Sequence, residues 1–247
     1  MNNINELSGV KNNRLYYQED QNIIKELIND GIDINNYNIY GENALFYSKN
    51  IKAKILIEYG INIHQIDIDG NTALLFHMIK NKHIMDNKKQ KGKQVMPLER
   101  IPEVMAIPIR RSLNKQDQIE LLNIFINSGI DLNHNNNLNE NALFYADAEI
   151  TKSLLNKGIN IHQINNIGEN ALFYADIDMC EILIKNGINT EQVNIYNKKF
   201  IDYLTDDEKE ELSNIYKSEN KDTHKKSYNR KLYSSISETE KYLKKNK

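Results

Sequence analysis

The chain has 247 residues, 40% of them hydrophobic, with one Cys, no Trp, three Pro and a formal net charge of −2. That composition excludes collagen-like and Pro/Gly-rich disordered chains, and a lone Cys180 excludes an internal disulfide. No run approaches the roughly 20 apolar residues of a membrane span, and the start Met1-Asn-Asn-Ile-Asn-Glu6 lacks the basic and apolar regions of a signal peptide, so a cytoplasmic chain is expected.

Along the chain, two phrases recur. One is Gly41-Glu-Asn-Ala-Leu-Phe-Tyr-Ser48, repeated as Gly70-Asn-Thr-Ala-Leu-Leu-Phe-His77, Asn139-Glu-Asn-Ala-Leu-Phe-Tyr-Ala146 and Gly168-Glu-Asn-Ala-Leu-Phe-Tyr-Ala175. The other follows each helical run: Gly31-Ile-Asp-Ile, Gly60-Ile-Asn-Ile, Gly129-Ile-Asp-Leu, Gly158-Ile-Asn-Ile and Gly187-Ile-Asn-Thr. Successive glycines lie 29, 69, 29 and 29 residues apart, so one period carries a 40-residue insertion. Apolar positions recur at helical spacing over 51–59, 119–126, 150–155 and 179–184, each before a glycine able to take the left-handed seat that ends a helix. Each unit therefore reads as a short helix, a second amphipathic helix, a glycine stop and an extended turn. None buries its apolar face alone, so the units must stack. They span 12–40, 41–69, 70–138, 139–167 and 168–196, with a cap over 197–217 whose helix, rich in Asp and Glu from Asp206 to Glu211, turns a polar face outward.

The insertion, placed at about 81–115, holds all three prolines, and residues 80–115 carry ten Lys and Arg against three acids, or +7. Residues 217–247 carry ten against four, or +6, which leaves −15 for the remainder. The sequence is an acidic body with a basic arm and a basic tail. The arm is either an ordered lid ending in Arg110-Arg111 or a disordered loop, since long loops are usually one or the other.

Little catalytic chemistry is visible. Phosphate loops and nucleophile elbows are lacking, and Cys180 falls on an apolar helix face with no histidine placed beside it, which makes it an inert buried thiol. His64 and His162 sit in equivalent Ile-His-Gln-Ile phrases too far apart to share a metal. Because Asn35, Asn133 and Glu191 stand there in other units, a turn-stabilising hydrogen bond is expected at that place. His77, His83, His134 and His224 lack metal-ligand spacing.

These phrases resemble the ankyrin repeat: Asn-Ala-Leu-Phe-Tyr-Ala stands where that family has Thr-Pro-Leu-His-x-Ala, and Gly31-Ile-Asp-Ile-Asn-Asn-Tyr-Asn-Ile-Tyr-Gly41 matches its turn at the same length. The period is shorter than the family's roughly 33 residues, by about one helical turn between Leu45 and Gly60. The resemblance implies an all-α ankyrin-repeat solenoid over residues 1–217 with a tail over 218–247, and a core role for Phe46/Tyr47, Phe144/Tyr145, Phe173/Tyr174 and Phe76. It also implies outward-facing tip positions: Tyr37, Ile39, Tyr40 and Glu42; Ile66, Ile68, Asp69 and Asn71; Asn135, Asn137, Leu138 and Glu140; Ile164, Asn166, Ile167 and Glu169; Val193, Ile195, Tyr196 and Lys198. Repeated Ile and Tyr there form either a contact strip for a partner or packing between neighbouring tips.

The expected function is a non-enzymatic protein-binding module, a monomer when free, without metal or cofactor. Its partner is another protein, a basic one such as a toxin if the acidic body steers association. The short repeats look like those of bacterial ankyrin proteins, including immunity proteins encoded beside toxins and the binding halves of secreted effectors. The alternatives are an effector or enzyme acting through the arm or tail, and nucleic-acid binding by the basic segments, for which no fold motif is present.

Overall fold

The computed structural model describes residues 14–86 and 113–219. Their regular structure is helical, and the β contacts among them are two isolated bridges, Ile66 with Thr72 and Val193 with Lys199. The chain divides into two compact units, one up to Asn137 and one from Leu138.

Unit 1 begins with a helical turn over 14–17 and α1 (Gln21–Asn29), whose N-cap Asp20 accepts from Asn22 and Ile23 N–H at 2.8 and 3.2 Å. Next come the 3-10 turn η1 (Ala44–Tyr47), α2 (Asn50–Glu58), α3 (Ala73–Asp86) and α4 (Lys115–Asn127). Helix α2 packs between α1 and α4, so the second helix of the repeat that carries the insertion stays in register. Unit 2 comprises η2 (Ala142–Tyr145), α5 (Ala148–Asn156), η3 (Ala171–Tyr174), α6 (Ile177–Lys185), η4 (Phe200–Tyr203) and α7 (Asp206–Glu219). Here α6 packs between α5 and α7, and η3 between η2 and η4.

The expected first helix of each unit is a single 3-10 turn. Asn43 caps its start, its Oδ1 accepting from Leu45 N–H at 3.1 Å, and Lys49 already occupies the N-cap of α2. Five residues between two caps are too few to propagate i→i−4 bonding, so the chain closes i→i−3 bonds instead: Phe46 N–H to Asn43 O and Ser48 N–H to Leu45 O, both at 3.2 Å. The turn missing from the 29-residue period is thus taken from the first helix. Where the insertion removes the deadline, the same phrase forms the 14-residue α3, whose Phe76 N–H reaches Thr72 O at 2.9 Å. Residues 81–86, assigned from sequence to the arm, continue this helix, and the rest of the arm over 87–112, Arg110 and Arg111 included, lies outside the described residues, as does the tail from 220.

Helix ends follow one rule. At the end of α2, Gly60 takes φ +84°, so Gly60 N–H and Ile61 N–H fold back to Ile57 O and Leu56 O, both at 3.0 Å. Asn139 and Asn197 take the left-handed seat, φ +62° and +55°, that Gly41 and Gly168 take in their repeats.

Apolar burial is continuous within each unit. Leu15, Ile24, Phe46, Leu56, Leu75 and Phe125 are buried in unit 1, and Phe144, Leu154, Leu172, Leu183, Phe200 and Leu212 in unit 2. The aromatic positions pack in pairs against these cores, Phe46 edge-on with Phe76 at 5.5 Å, Phe144 tilted against Tyr174 at 5.5 Å and Phe173 edge-on with the half-exposed Tyr203 at 5.9 Å between centroids. Cys180 is buried.

The asparagine before each ALFY turn ties two segments together. Asn170 Oδ1 accepts from Leu172 N–H at 3.2 Å while its Nδ2 donates to Asn189 O at 2.7 Å, and Asn43 and Asn141 do the same toward Asn62 O and Asn160 O. Replacing Asn170 by Ala removes both bonds at a buried site, and chemical denaturation should show a loss of about 2–4 kcal/mol.

Candidate functional site

The turn tips are built around one covered Asn or Asp each, buried at 67, 165 and 194 and part-buried at 38. Asn38 Oδ1 accepts from Tyr40 and Glu42 N–H at 2.9 and 3.1 Å; Asp67 from Asp69 and Asn71 at 2.9 and 2.7 Å; Asn165 from Ile167 and Glu169 at 3.2 and 2.9 Å; Asn194 from Tyr196 and Lys198 at 3.0 and 3.1 Å. Each tip is thereby folded from within, by a short side chain that mimics a turn of backbone.

A second set of bonds links successive tips. In unit 2 the chain runs unbroken: Tyr145 Oη donates to Glu140; Asn165 Nδ2 donates to Glu140 at 3.0 Å and to Tyr174 Oη at 2.9 Å; Tyr174 Oη donates to Glu169 at 2.8 Å; Asn194 Nδ2 donates to Glu169 at 2.7 Å and to Tyr203 Oη at 2.9 Å. Lys198 stands where the next glutamate would be, and the ladder ends there. In unit 1, Asn38 donates to Glu42 at 2.6 Å and to Tyr47 Oη at 3.2 Å, and Tyr47 Oη donates to Glu42. The third repeat exchanges the roles: Asp67 carries the carboxylate, Asn71 donates to it at 3.0 Å, and Asn136 donates to Asn71 at 3.2 Å. Each of these rungs holds one carboxylate.

Burial pushes the Glu42 and Asp67 carboxyls above their ordinary range, against the lowering effect of the bonds from Tyr47, Asn38 and Asn71. The Tyr47 and Tyr174 hydroxyls are pushed up by burial and by the adjacent glutamates, so they remain donors.

Backbone bonds join the tips as well. Ile68 N–H donates to Tyr40 O and Asn137 N–H to Asp69 O in unit 1, and Asn166 N–H to Leu138 O and Ile195 N–H to Ile167 O in unit 2, all at 2.9–3.0 Å. Gln65, Gln163 and Gln192 add side-chain bonds to the carbonyls of Gly41, Asn139 and Gly168, and His134 stands in the glutamine position with Nε2 at 2.7 Å from Gly70 O.

This frame sorts the tip positions named from sequence. Ile39 is 86% exposed, Tyr37 62%, Ile195 64% and Tyr196 67%, while Ile66, Ile68, Ile164 and Val193 are about half exposed. Asn137 and Asn166 face solvent, and Tyr40, Asp69, Leu138 and Ile167 are partly covered. Glu42, Glu140 and Glu169 are not outward-facing: they are 5–8% exposed, because each satisfies a tyrosine and an asparagine beneath the tip. Asn71 is buried for the same reason.

The histidine position of the turn behaves differently from expectation. His64 and His162 are exposed, and only their backbone N–H groups bond, to Asn62 and Asn160 at 3.0 Å. Asn35 does reach across, accepting Asn62 N–H at 2.6 Å, and Glu191 pairs with Lys199 at 2.7 Å. Sequence reasoning missed the ladder, although its signal was present: Asn or Asp at 38, 67, 136, 165 and 194, with Glu four and Tyr nine residues later in most copies.

His77 occupies a place where other repeats have Ser48, Ala146 or Ala175. It is 7% exposed, packs on Phe76 and Phe125, and burial with Lys80 nearby lowers its pKa from 6.5 to about 3. A depressed histidine is neutral when folded and protonates first when unfolded, so its stabilisation is complete above pH 6.5 and lost as pH falls toward 3. Glu42 and Asp67, raised by burial, act with the opposite sign, so the comparison with a variant isolates the histidine. In His77→Leu, the loss of stability between pH 6.5 and 4, measured by urea denaturation, should be smaller than in the parent by about 1 kcal/mol or more. Compared with known proteins, the chain matches no protein-family model and no curated protein.

Proposed function

We propose that the chain is an ankyrin-type repeat protein, without enzymatic activity, that holds a partner protein against its turn tips. The observation that carries this reading is the set of large apolar side chains, Tyr37, Ile39, Ile66 and Ile68 in unit 1 and Ile164, Val193, Ile195 and Tyr196 in unit 2, held in solvent by tips braced from beneath. Folding gains nothing from leaving isoleucine exposed at 86%, whereas a protein interface gains from rigid apolar anchors whose ordering cost is already met. The strip also supports partner contact over packing between tips, since the tips bond to one another through backbone and leave these side chains outward.

The acidic body, −15 outside the two basic segments, favours a basic partner and predicts steering. An immunity protein neutralising a basic toxin fits this description, and a secreted effector using the same surface is the alternative.

The test is direct. Ile39→Asp with Ile68→Asp in unit 1, and Ile195→Asp with Tyr196→Asp in unit 2, replace exposed side chains and should each leave unfolding midpoints within about 0.5 kcal/mol of the parent. The protein that co-purifies with the parent from its source cells should be lost from both variants, with affinity reduced at least about tenfold, or ~1.4 kcal/mol. Retention at the parental level by both variants removes the tips from the interface. The association rate with that partner should fall steeply between 50 and 300 mM salt, and a flat rate counts against steering.

A further inference from the structure

Helices α1, α5 and α6 begin at an aspartate, Asp20, Asp147 or Asp176, whose carboxylate accepts first-turn N–H groups. At the same register α2 begins at Lys49, with no side-chain cap. The substitution places a cation where the helix dipole favours an anion and leaves first-turn donors without a side-chain acceptor. Two more lysines surround it. Lys52 is 1% exposed, donates to Tyr16 O at 2.9 Å, and is depressed to about 8 by burial and by Lys49, with Glu19 opposing. Lys80 is depressed to about 8 by burial and by Lys49. None of the three has a carboxylate within ion-pair distance among the described residues, and Glu19 is the one acid at the rim.

Beside Lys49 and Lys80 lies a cavity of about 30 Å³, lined by these two lysines, His77, Ser48, Glu19, Tyr16, Tyr17 and Tyr47, among others. His77 is more than nine-tenths buried, and only its Nε2 has a partner among the described residues, Leu45 O at a long 3.4 Å. A water needs about 10–15 Å³ of such space, so the cavity has room for a group as small as one carboxylate. Two ammonium groups, with Lys52 close by, an uncapped helix start and a histidine cost stability when left together, and an anion between Lys49 and Lys80 reverses that cost.

We infer that unit 1 carries a receptor pocket for a single carboxylate group, bound by Lys49 and Lys80 over His77 at the start of α2. The source is either a free small carboxylate or an acidic side chain of a partner. The pocket is formed by the start of α2, by α3 and by the helical turn over 14–17, and not by tip side chains, so the assignment stands independently of the tip surface.

Sodium acetate titrated into the intact chain, against sodium chloride at matched ionic strength, tests it through the NMR signals of the Lys49 and Lys80 side chains and the His77 ring. Saturable shifts are expected with acetate and not with chloride, half-complete at about 10 mM, the range open to so small a ligand. Lys80→Met should weaken the response at least tenfold. Lys49→Asp, which supplies the cap found at Asp147 and Asp176, should abolish it while raising the unfolding midpoint, so loss of binding is separated from loss of fold. An acetylated and amidated single glutamate, binding more tightly than acetate, assigns the pocket to a partner's acidic side chain; the reverse order assigns it to a free carboxylate. Shifts that rise linearly and equally in chloride, a response unchanged in Lys49→Asp, or tighter binding of inorganic phosphate than of acetate would overturn the assignment.

Discussion

The turn tips depend on one arrangement, a short polar side chain at the root of the tip that satisfies backbone on one side and, at Asn38, Asn165 and Asn194, a carboxylate on the other. Asn165 shows the economy of it: its oxygen accepts the N–H groups of Ile167 and Glu169, and its nitrogen reaches Glu140 and Tyr174. A buried carboxylate is tolerable only when its lone pairs are occupied, and the tyrosine and asparagine donors occupy them. Removing any member leaves a buried polar atom without a partner, so the tips are held in one conformation by the cost of every other.

Bracing from within frees the outward side chains from any structural duty. Residues such as Ile39 and Ile195 contribute little to the core, and the tip backbone does not need them to keep its shape. This is the physical basis of the proposed partner surface. The same logic explains why the 29-residue unit tolerates a first helix reduced to one 3-10 turn: Asn43, Asn141 and Asn170 bond forward to the carbonyls of Asn62, Asn160 and Asn189, replacing packing that a longer helix would supply.

Departures from the repeat are as informative as the repeat. At the junction of the second and third units, aspartate and asparagine exchange places and the carboxylate moves from the fourth residue after the root of the tip to the root itself, preserving one per rung. At the last unit, Lys198 and Lys199 replace Glu and Asn, and the ladder stops where no further repeat needs it. At the second, Lys49 breaks the aspartate cap and lines a cavity with Lys80. Lys199, which also lacks a side-chain cap, pairs with Glu191, whereas Lys49 and Lys80 meet at a cavity without a carboxylate in ion-pair distance among the described residues, which is why the third departure points to a ligand.

The helical class, the 29-residue register, the stops at Gly60 and Gly158, the bypassed insertion and the burial of Cys180 were all legible in the sequence, because they follow from local periodicity and from the left-handed backbone that glycine accepts. The tertiary structure alone decided which tip residues face solvent. Glu42, Glu140 and Glu169 read as surface acids by type, yet lie buried, because their partners Tyr47, Asn165 and Asn194 arrive from the next strand of chain or the next repeat. The cationic cavity was hidden for the same reason: Lys49, Lys80 and His77 are unremarkable singly, and only packing of α2 and α3 against the first helical turn brings their charges together. Local pattern is carried by neighbours in sequence, whereas the satisfaction of a buried charge depends on atoms that the fold alone brings within reach.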